Sequence, residues 1–283
     1  MGHMKWELYT KIIDDYSHLM NKFAFDGKLT YCNMGEPFIE KNIANWVKYA
    51  IDRGINVYFN TNAALLTPEI IDSLVDAGFQ GYFNISCHGI TPHVFEYTSG
   101  GLDLGTVLKN VDYLLQKYPS QHISVNAVPY KWPSDEESKL RDFWTKKGIA
   151  VGVNEPSSRT GLVPLFRKAR KRRIAGCLTE RILYQMIISF DGNVLLCCHD
   201  MGREIVLGNL NEQSIYDVWN GEKFLAMLRA MYSRKKLPPS FLCYKCEESL
   251  NYWSWRRIAK DCVPTFILNE IGKRRKHGWI INN

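Results

Sequence analysis

Hydrophobic and polar positions alternate between a helical and a strand period over the first half of the chain. Apolar residues at helical spacing predict helices over 5–22, 39–51, 67–77, 104–115 and 134–147. Short apolar runs predict strands over 27–34, 55–59, 81–86, 123–128 and 149–153. Five strands that alternate with helices require a parallel sheet with right-handed crossovers, either an open doubly wound sheet or a barrel.

Local signals support the predicted ends of these helices. Gly54 and Gly78 follow two helical repeats, where glycine commonly closes a helix. Thr67 precedes Pro68, which is typical of a first helical turn. Ser134 and Glu137 have the spacing of a capping box, so we expect Ser134 to cap the fifth helix.

Every predicted strand ends in groups that can form hydrogen bonds. The carboxyl ends of parallel strands meet at one edge of a sheet or barrel, which is the usual binding face. A ligand site is therefore expected where these ends converge. The end residues are Asn33, Gly35, Glu36, Asn60, Asn62, Ser86, His88, Asn126, Asn154 and Arg159.

The second half carries cysteines at spacings typical of a metal centre. Cys177 is followed by Gly192 and Cys197, and Cys243 and Cys246 form a C-x2-C pair further on. Four thiolates can hold zinc or an iron–sulfur cluster. The alternative is that these cysteines are small buried hydrophobic residues, which the C-x2-C spacing argues against.

Composition restricts the class of protein. The 283 residues are 46% hydrophobic and 23% charged, as in an ordinary globular protein, and the sequence lacks an apolar run that could span a bilayer. The charged start does not resemble a signal peptide. Eight cysteines then indicate a reducing, cytoplasmic location and metal ligation rather than disulfides. The net charge of +7, concentrated in runs at 167–173 and 273–276, is a weak indication of an acidic partner.

The residues at the first strand ends resemble motifs of the radical S-adenosylmethionine (SAM) superfamily. The segment 34–37, Met-Gly-Glu-Pro, resembles its GGEP motif, with Met in place of the first Gly. Segments 60–62 and 84–89 resemble the superfamily's TNG and ISLHG-like segments, which follow its next two strands. This resemblance implies that Gly35, Glu36 and Pro37 hold the methionine end of the cofactor. It implies Asn62, Ser86 and Asn126 as further cofactor-binding residues.

The cysteine framework resembles the auxiliary-cluster domain of the same superfamily, of the SPASM or shorter twitch type. The resemblance implies that Cys177, Cys197, Cys243 and Cys246 ligate an auxiliary 4Fe-4S cluster. Cys198 is the rival for Cys197, but the four-residue spacing after Gly192 favours Cys197. Only Cys262 lies further downstream, so the one-cluster twitch form fits better.

One family motif is absent from the sequence. The C-x3-C-x2-C triplet expected before segment 34–37 does not occur, and Cys32 and Cys87 stand alone. A second 4Fe-4S cluster is therefore expected only if a missing amino-terminal segment is supplied. The residues Gly2-His3-Met4 resemble a vector scar, so a truncated start is the preferred explanation. A natural cluster-free relative and a partner that supplies the segment are the alternatives.

The resemblance implies an α/β fold with a partial (β/α)6 TIM-like barrel that lacks its first strand, plus a small α+β auxiliary-cluster domain. We expect this barrel at 5–162, a basic linker at 163–176, the cluster domain at 177–262 and a tail at 263–283.

The implied function is hydrogen abstraction by a 5′-deoxyadenosyl radical, followed by oxidation or rearrangement of a small molecule or a peptide side chain. The chain as given is expected to be inactive without the first cluster motif. Expected partners are the substrate and an electron donor such as flavodoxin or ferredoxin; neither a membrane nor nucleic acid is expected. The residues that carry the catalytic step are not predicted.

Two other functions remain open. The chain could be a non-catalytic, cluster-deficient binding protein that keeps a structural iron–sulfur or zinc site. It could also be a basic zinc protein that binds nucleic acid. His88 and His199 are expected to be structural hydrogen-bonding residues, and Cys32 and Cys87 to be packed in the core.

Overall fold

The fold is taken from a computed structural model of the chain, which describes residues 2–31, 35–163, 174–232, 237–238 and 240–251. These residues form two compact units. The first unit contains residues 1–157 and 186–221, and the second contains 158–185 and 222–283. The predicted linker run 167–173, Cys262 and the tail 263–283 lie outside the described residues, and the predicted domain boundaries stay a prediction.

A five-stranded parallel sheet forms the centre of the first unit. Its strands follow the order β1-β2-β3-β4-β5, so each strand pairs with its neighbours in sequence. The strands are β1 Lys28–Tyr31, β2 Asn56–Thr61, β3 Tyr82–Ser86, β4 Ile123–Ala127 and β5 Ala150–Val153. The helices are α1 Trp6–Phe23, α2 Ile43–Ile51, α3 Pro68–Asp76, α4 Pro92–Ser99, α5 Leu104–Lys117 and α6 Glu136–Lys146. This strand–helix alternation confirms the predicted α/β fold with a partial barrel.

Alternate residues of the strands divide the sheet into an apolar face and a polar face. Phe59, Phe83, Ile85 and Val125 are almost completely buried and belong to one hydrophobic core with residues of the helices. Their neighbours in sequence point to the opposite face, because side chains alternate along a strand. The core therefore fixes which strand residues are left to face a ligand.

The structure corrects two details of the predicted helices. Helix α6 begins at Glu136 with Asp135 as its N-cap, and Asp135 makes no side-chain capping bond. The predicted capping box from Ser134 is therefore wrong. The carboxylate of Glu136 instead accepts hydrogen bonds from the backbone N–H groups of Ile90 and Thr91, at 2.5 and 2.8 Å. Helix α4 was not predicted, because its eight residues carry too short an apolar repeat.

The second stretch of the first unit forms a small antiparallel sheet and a short helix. Strands β7 Ile187–Ile188, β8 Asn193–Leu195 and β9 Val206–Asn209 pair in that order, and helix α7 Ile215–Asn220 follows. Two side chains of α1 bind this stretch. The Lys11 ammonium donates to the backbone carbonyl of Leu210 at 2.5 Å, and the Asp15 carboxylate accepts from the N–H of Ile215 at 2.6 Å.

The β7–β8 turn is stabilised by one carboxylate and one glycine. Asp191 accepts hydrogen bonds from Ser189 and Asn193 and forms an ion pair with Arg203. Burial opposes ionisation of Asp191, but these partners outweigh it and lower its pKa to about 2. Gly192 has a φ of 84°, and a Cβ there would lie 2.6 Å from the side-chain nitrogen of Asn211.

We expect Asp191→Asn to lower the free energy of unfolding by about 1 kcal/mol at pH 7, a value reduced because the side chain is 36% exposed. The folded pKa lies below the ordinary value of 3.8, so the stabilisation is present above that value and is lost as the pH falls toward about 2. Urea unfolding between pH 2 and pH 7 measures this. The same loss in a variant of the exposed Asp26 would contradict the assignment.

The second unit contains a two-stranded antiparallel sheet and one long helix. Strand β6 Ile174–Cys177 pairs with β10 Ser249–Asn251, and helix α8 Glu222–Tyr232 packs against β6. Side chains also join the strand ends, because Glu248 accepts from Thr179 at 3.0 Å and from Arg181 at 2.6 Å. In the described part of the chain, no helix is both long enough and apolar enough to cross a membrane.

Candidate functional site

The carboxyl ends of β1 to β5 lie side by side at one edge of the parallel sheet, as predicted. The register pairs Thr61 with Ile85 and Ser86 with Asn126, so the polar residues that follow these strands are neighbours. Glu36, Asn62, Ser86, Asn126 and Asn154 all lie at this edge, whereas Asn33 and Met34 lie outside the described residues.

Glu36 connects the loop after β1 to the end of β2. One carboxylate oxygen accepts from the Thr61 hydroxyl at 2.6 Å and from the Phe38 N–H at 3.4 Å. The other accepts from the Asn62 N–H at 2.9 Å. A carboxylate can accept about four hydrogen bonds, so within the described residues these three leave room for one further donor.

Burial controls the ionisation of Glu36. Desolvation raises the pKa of this carboxyl above its ordinary value, although the bonds from Thr61, Asn62 and Phe38 act in the opposite direction. A half-buried carboxylate with one acceptor position left is suited to bind a cation such as an ammonium group.

The other three predicted cofactor-binding side chains differ in how many hydrogen-bond donors and acceptors they have left for a ligand. The side-chain oxygen of Asn62 accepts from the N–H of Ala64 at 2.9 Å, so it shapes its own turn and offers mainly its NH2 group. The side-chain oxygen of Asn126 accepts from the amide of Asn154 at 2.7 Å. Ser86 lies in register with Asn126 on the next strand.

A polar row crosses the same face of the sheet one step deeper, and sequence reasoning missed it as a unit. The Ser124 hydroxyl donates to the side-chain oxygen of Asn84 at 3.0 Å, and the Asn84 amide donates to that of Asn60 at 3.0 Å. Interiors of closed parallel barrels are usually filled by branched apolar side chains. The alternation of Asn60 with Phe59, and of Asn84 with Phe83, was the signal that could have found this row.

In the segment after β3, the side chains of His88 and Cys87 are buried and form hydrogen bonds within the protein. His88 accepts from the N–H of Val128 at 3.1 Å, and burial lowers its pKa, which favours the neutral ring. Cys87 is fully buried and donates to the Gly89 carbonyl at 3.1 Å, and burial raises its pKa to about 12. His88 is therefore a structural hydrogen-bonding residue and Cys87 a packed one, as predicted.

Cys197 and Cys198 lie in the first unit, on the turn between β8 and β9. The Asp200 N–H donates to the Cys197 carbonyl at 3.1 Å, and the Asp200 carboxylate accepts from the N–H groups of Glu204 and Ile205 at 2.8 and 2.9 Å. His199 lies 3.5 Å from the Ser157 hydroxyl in the same unit. The turn is thus stabilised by backbone hydrogen bonds to the Asp200 carboxylate and to the Cys197 carbonyl.

Cys177, Cys243 and Cys246 share one neighbourhood in the second unit. Cys177 ends β6 opposite Ser249, and the Ser249 hydroxyl donates to the Cys243 carbonyl at 2.6 Å. Cys246 closes the turn that begins at Cys243. Burial raises the pKa of the Cys246 thiol to about 11.

Within the described residues of the second unit, two buried polar groups lack a hydrogen bond of normal geometry. They are the Tyr232 hydroxyl and the Glu247 carboxylate, both shielded from solvent. Such atoms are rare in folded proteins, and a bound ion or cofactor can supply the missing partner. Three thiols and an unsatisfied phenol in one small unit therefore fit a sulfur-rich cofactor.

No three His, Cys, Asp or Glu side chains of the described residues are arranged as a metal-ion site. The ligand set of Cys177, Cys197, Cys243 and Cys246 thus stays a prediction. The same holds for the assignment of cofactor-binding roles to Gly35, Glu36, Pro37, Asn62, Ser86 and Asn126.

Comparison with known proteins identifies the cysteine framework. Residues 177–247 match the SPASM family, described as an iron–sulfur cluster-binding domain. The S-adenosyl-L-methionine-dependent 2-deoxy-scyllo-inosamine dehydrogenase of Niallia circulans is 32% identical over 90 residues, which are 32% of this chain. The match spans 34% of that enzyme, so the chain matches about a third of its length.

Solved structures resemble the fold over most of the chain. BtrN in complex with AdoMet and 2-DOIA has a TM-score of 0.54 at 20% identity, over 87% of this chain and 81% of that one. SuiB of Streptococcus suis bound to its precursor peptide SuiA has a TM-score of 0.58 at 16% identity, over 83% of this chain and 62% of that one. The dehydrogenase and the BtrN structure are both named with S-adenosylmethionine or AdoMet, and the family model that matches residues 177–247 describes iron–sulfur cluster binding. The chain therefore has the fold of the radical SAM enzymes and carries a SPASM-type iron–sulfur cluster-binding domain in its second half.

Proposed function

We propose that this protein is a radical SAM enzyme that abstracts hydrogen from a small molecule or a peptide side chain and oxidises or rearranges it. The observation that carries the proposal is Glu36, a half-buried carboxylate held at the carboxyl end of the sheet with one acceptor position left. The cysteine framework of the second half supports it, because it matches an iron–sulfur domain.

The chain's own residues would bind and orient the cofactor. Glu36 would accept a hydrogen bond from the ammonium group of SAM, with Gly35 and Pro37 shaping the loop around it. Asn62 and Ser86 would contact the rest of the cofactor, and Asn126 would be oriented by Asn154. When bound, SAM and a first 4Fe-4S cluster supply the radical, and the protein directs it toward the substrate and excludes water.

Cys177, Cys197, Cys243 and Cys246 would ligate an auxiliary 4Fe-4S cluster. Thiolates are the ligands that iron–sulfur clusters use, and the C-x2-C turn of Cys243 and Cys246 supplies two from one local segment. The electron donor would be a small redox protein such as flavodoxin or ferredoxin. A substrate of either kind has a precedent in the names of the compared proteins, a dehydrogenase of an aminocyclitol and a protein bound to a precursor peptide.

Iron and sulfide analysis after anaerobic reconstitution tests the proposal. We expect one 4Fe-4S cluster in the chain as given. A longer form that supplies a C-x3-C-x2-C segment should bind a second cluster and cleave SAM to 5′-deoxyadenosine under dithionite. Zinc without sulfide would favour the nucleic-acid-binding alternative. Failure of the two-cluster form to cleave SAM would favour the non-catalytic binding protein.

The affinity for SAM should depend on pH through Glu36. The carboxylate must be ionised to accept from an ammonium group, and burial raises its pKa above the ordinary value. Affinity should therefore be present at neutral pH and fall as the pH drops through this raised pKa, earlier than for an exposed glutamate. Equilibrium dialysis of SAM against the two-cluster form over pH 5–8 measures it. In Glu36→Gln this pH dependence should disappear.

A further inference from the structure

We infer that the hydroxyl of Tyr232 is a hydrogen-bond donor to the sulfur atoms of the auxiliary cluster, either a cluster sulfide or the thiolate of Cys177, and that it raises the reduction potential of that cluster. The inference rests on the proposed function, since it requires a cluster on the thiols of the second unit.

The first step is the position of the Tyr232 ring. Tyr232 is the last residue of helix α8, which packs against β6. Gly176, the residue before Cys177, has a φ of 129°, and a Cβ there would lie 2.6 Å from ring carbon Cε1 of Tyr232. The absence of a side chain at Gly176 thus lets the ring lie directly against the strand end that carries Cys177.

The second step is the state of the hydroxyl group. It is shielded from solvent, and its proton has no acceptor at normal hydrogen-bond geometry among the described residues, although the Cys177 backbone lies near its oxygen. A buried hydroxyl without an acceptor costs about 1–3 kcal/mol, so a sulfur acceptor supplied by a bound cluster would recover that cost. The phenol is a donor at neutral pH, because its ordinary pKa is about 10.

The third step is the hydrogen bonding around Cys177. Its sulfur lies 3.3 Å from the Thr179 hydroxyl, and that hydroxyl donates to the Glu248 carboxylate at 3.0 Å. The single proton of Thr179 is therefore committed to Glu248. Once Cys177 is a thiolate, Thr179 has no proton to offer it, whereas the Tyr232 hydroxyl does.

The fourth step is the consequence for the cofactor. Hydrogen bonds to the sulfur atoms of an iron–sulfur cluster stabilise its reduced, more negative state and raise its potential. A donor from Tyr232 would therefore keep a cluster in this buried site reducible.

Tyr232→Phe in the reconstituted chain tests the inference, and Tyr244→Phe is a matched control. Tyr244 lies in the same unit beside Cys243, but its hydroxyl already donates to the Leu237 carbonyl at 3.3 Å. We expect Tyr232→Phe to lower the ratio of reduced to oxidised cluster about fivefold to tenfold at a fixed potential, where tenfold corresponds to about 59 mV for one electron. Tyr244→Phe should leave the ratio at the wild-type value.

Two further measurements separate the donor role from a packing role. Pulsed electron–nuclear double resonance of the reduced cluster in D2O should show a coupling to the exchanged deuteron of the Tyr232 hydroxyl. This coupling should be absent in Tyr232→Phe. Thermal unfolding of the cluster-free chain should be unchanged or raised in this variant, because an unsatisfied hydroxyl is removed.

This inference alone would be overturned if the wild-type chain binds a 4Fe-4S cluster and Tyr232→Phe leaves both the reduction potential and the deuteron coupling of that cluster unchanged. A wild-type chain that binds no such cluster would overturn the proposed function as well.

Discussion

Replacing Cys243 and Cys246 together with Ala is expected to reduce the iron and sulfide content of the reconstituted chain to background. The C-x2-C turn contributes two of the four proposed ligands, and both thiols are largely buried, at 9% and 7% exposure. Two remaining thiolates cannot hold a 4Fe-4S cluster that needs at least three. Iron and sulfide analysis with the visible absorption spectrum measures the loss.

Adjacent cysteines on the β8–β9 turn provide a sharper version of this test. Cys197→Ala leaves three proposed ligands and should lower the iron and sulfide content of the reconstituted chain, whereas Cys198→Ala should leave it at the wild-type value, since only Cys197 has the proposed role. Cys87→Ala is the second control, because Cys87 is packed inside the core of the first unit. Equal retention of iron by Cys197→Ala and Cys198→Ala would remove Cys197 from the ligand set.

Removal of the cluster should also destabilise the chain. Metal binding contributes to folding free energy wherever the ligands are brought together only in the folded state. We therefore expect the double variant and the chelator-treated wild-type chain to unfold at the same lowered temperature. If the double variant unfolds at the same temperature as the cluster-bound wild-type chain, the cluster makes no such contribution to stability.

Replacing Glu36 with Gln is expected to weaken SAM binding to the two-cluster form about 10- to 100-fold. The estimate corresponds to a hydrogen bond between charged groups, about 1.5–3 kcal/mol. The substitution also turns one oxygen into an NH2 group that cannot accept from Thr61 or Asn62, so the loop after β1 should lose its anchor. Equilibrium dialysis with labelled SAM measures the affinity.

Glu40→Gln is the matched control for Glu36. Glu40 lies four residues further on, and among the bonds described its carboxylate accepts only from the N–H of Asn42, at 2.9 Å. Its substitution removes a negative charge from the same loop and should leave SAM affinity unchanged. An equal loss in both variants would indicate a general effect of charge, and the specific role of Glu36 would then be excluded.

Much of the fold could be predicted from the sequence because its signals are local. Residues such as Phe59 and Phe83 alternate with polar neighbours, so they set both the strands and the buried face. Glycines at 54 and 78 adopt the positive φ angles that end helices, at 75° and 77°. Helix α4 could not be predicted because its apolar repeat is too short. The start of α6 could not be predicted because the Glu136 carboxylate binds the backbone of Thr91, 45 residues away.

The chemistry of the candidate site was only partly predictable. Cysteine spacing alone indicated a thiolate centre, and strand-end composition indicated a ligand site, because each depends on a few residues close in sequence. The anchoring of Glu36 by Thr61 and Asn62 joins positions 25 and 26 residues apart. The polar row of Asn60, Asn84 and Ser124 likewise exists only because three strands pair in register.

The sequence by itself determined the alternation of strands and helices, the apolar face of the sheet and the identity of the thiols, because periodicity and spacing are properties of the chain. Only the tertiary structure decided which hydrogen bonds the Glu36 carboxylate accepts, and that the Tyr232 ring packs against Gly176 with its hydroxyl buried. These depend on pairing between distant segments, and hydrogen-bond capacity can be counted only once every donor and acceptor has its neighbours.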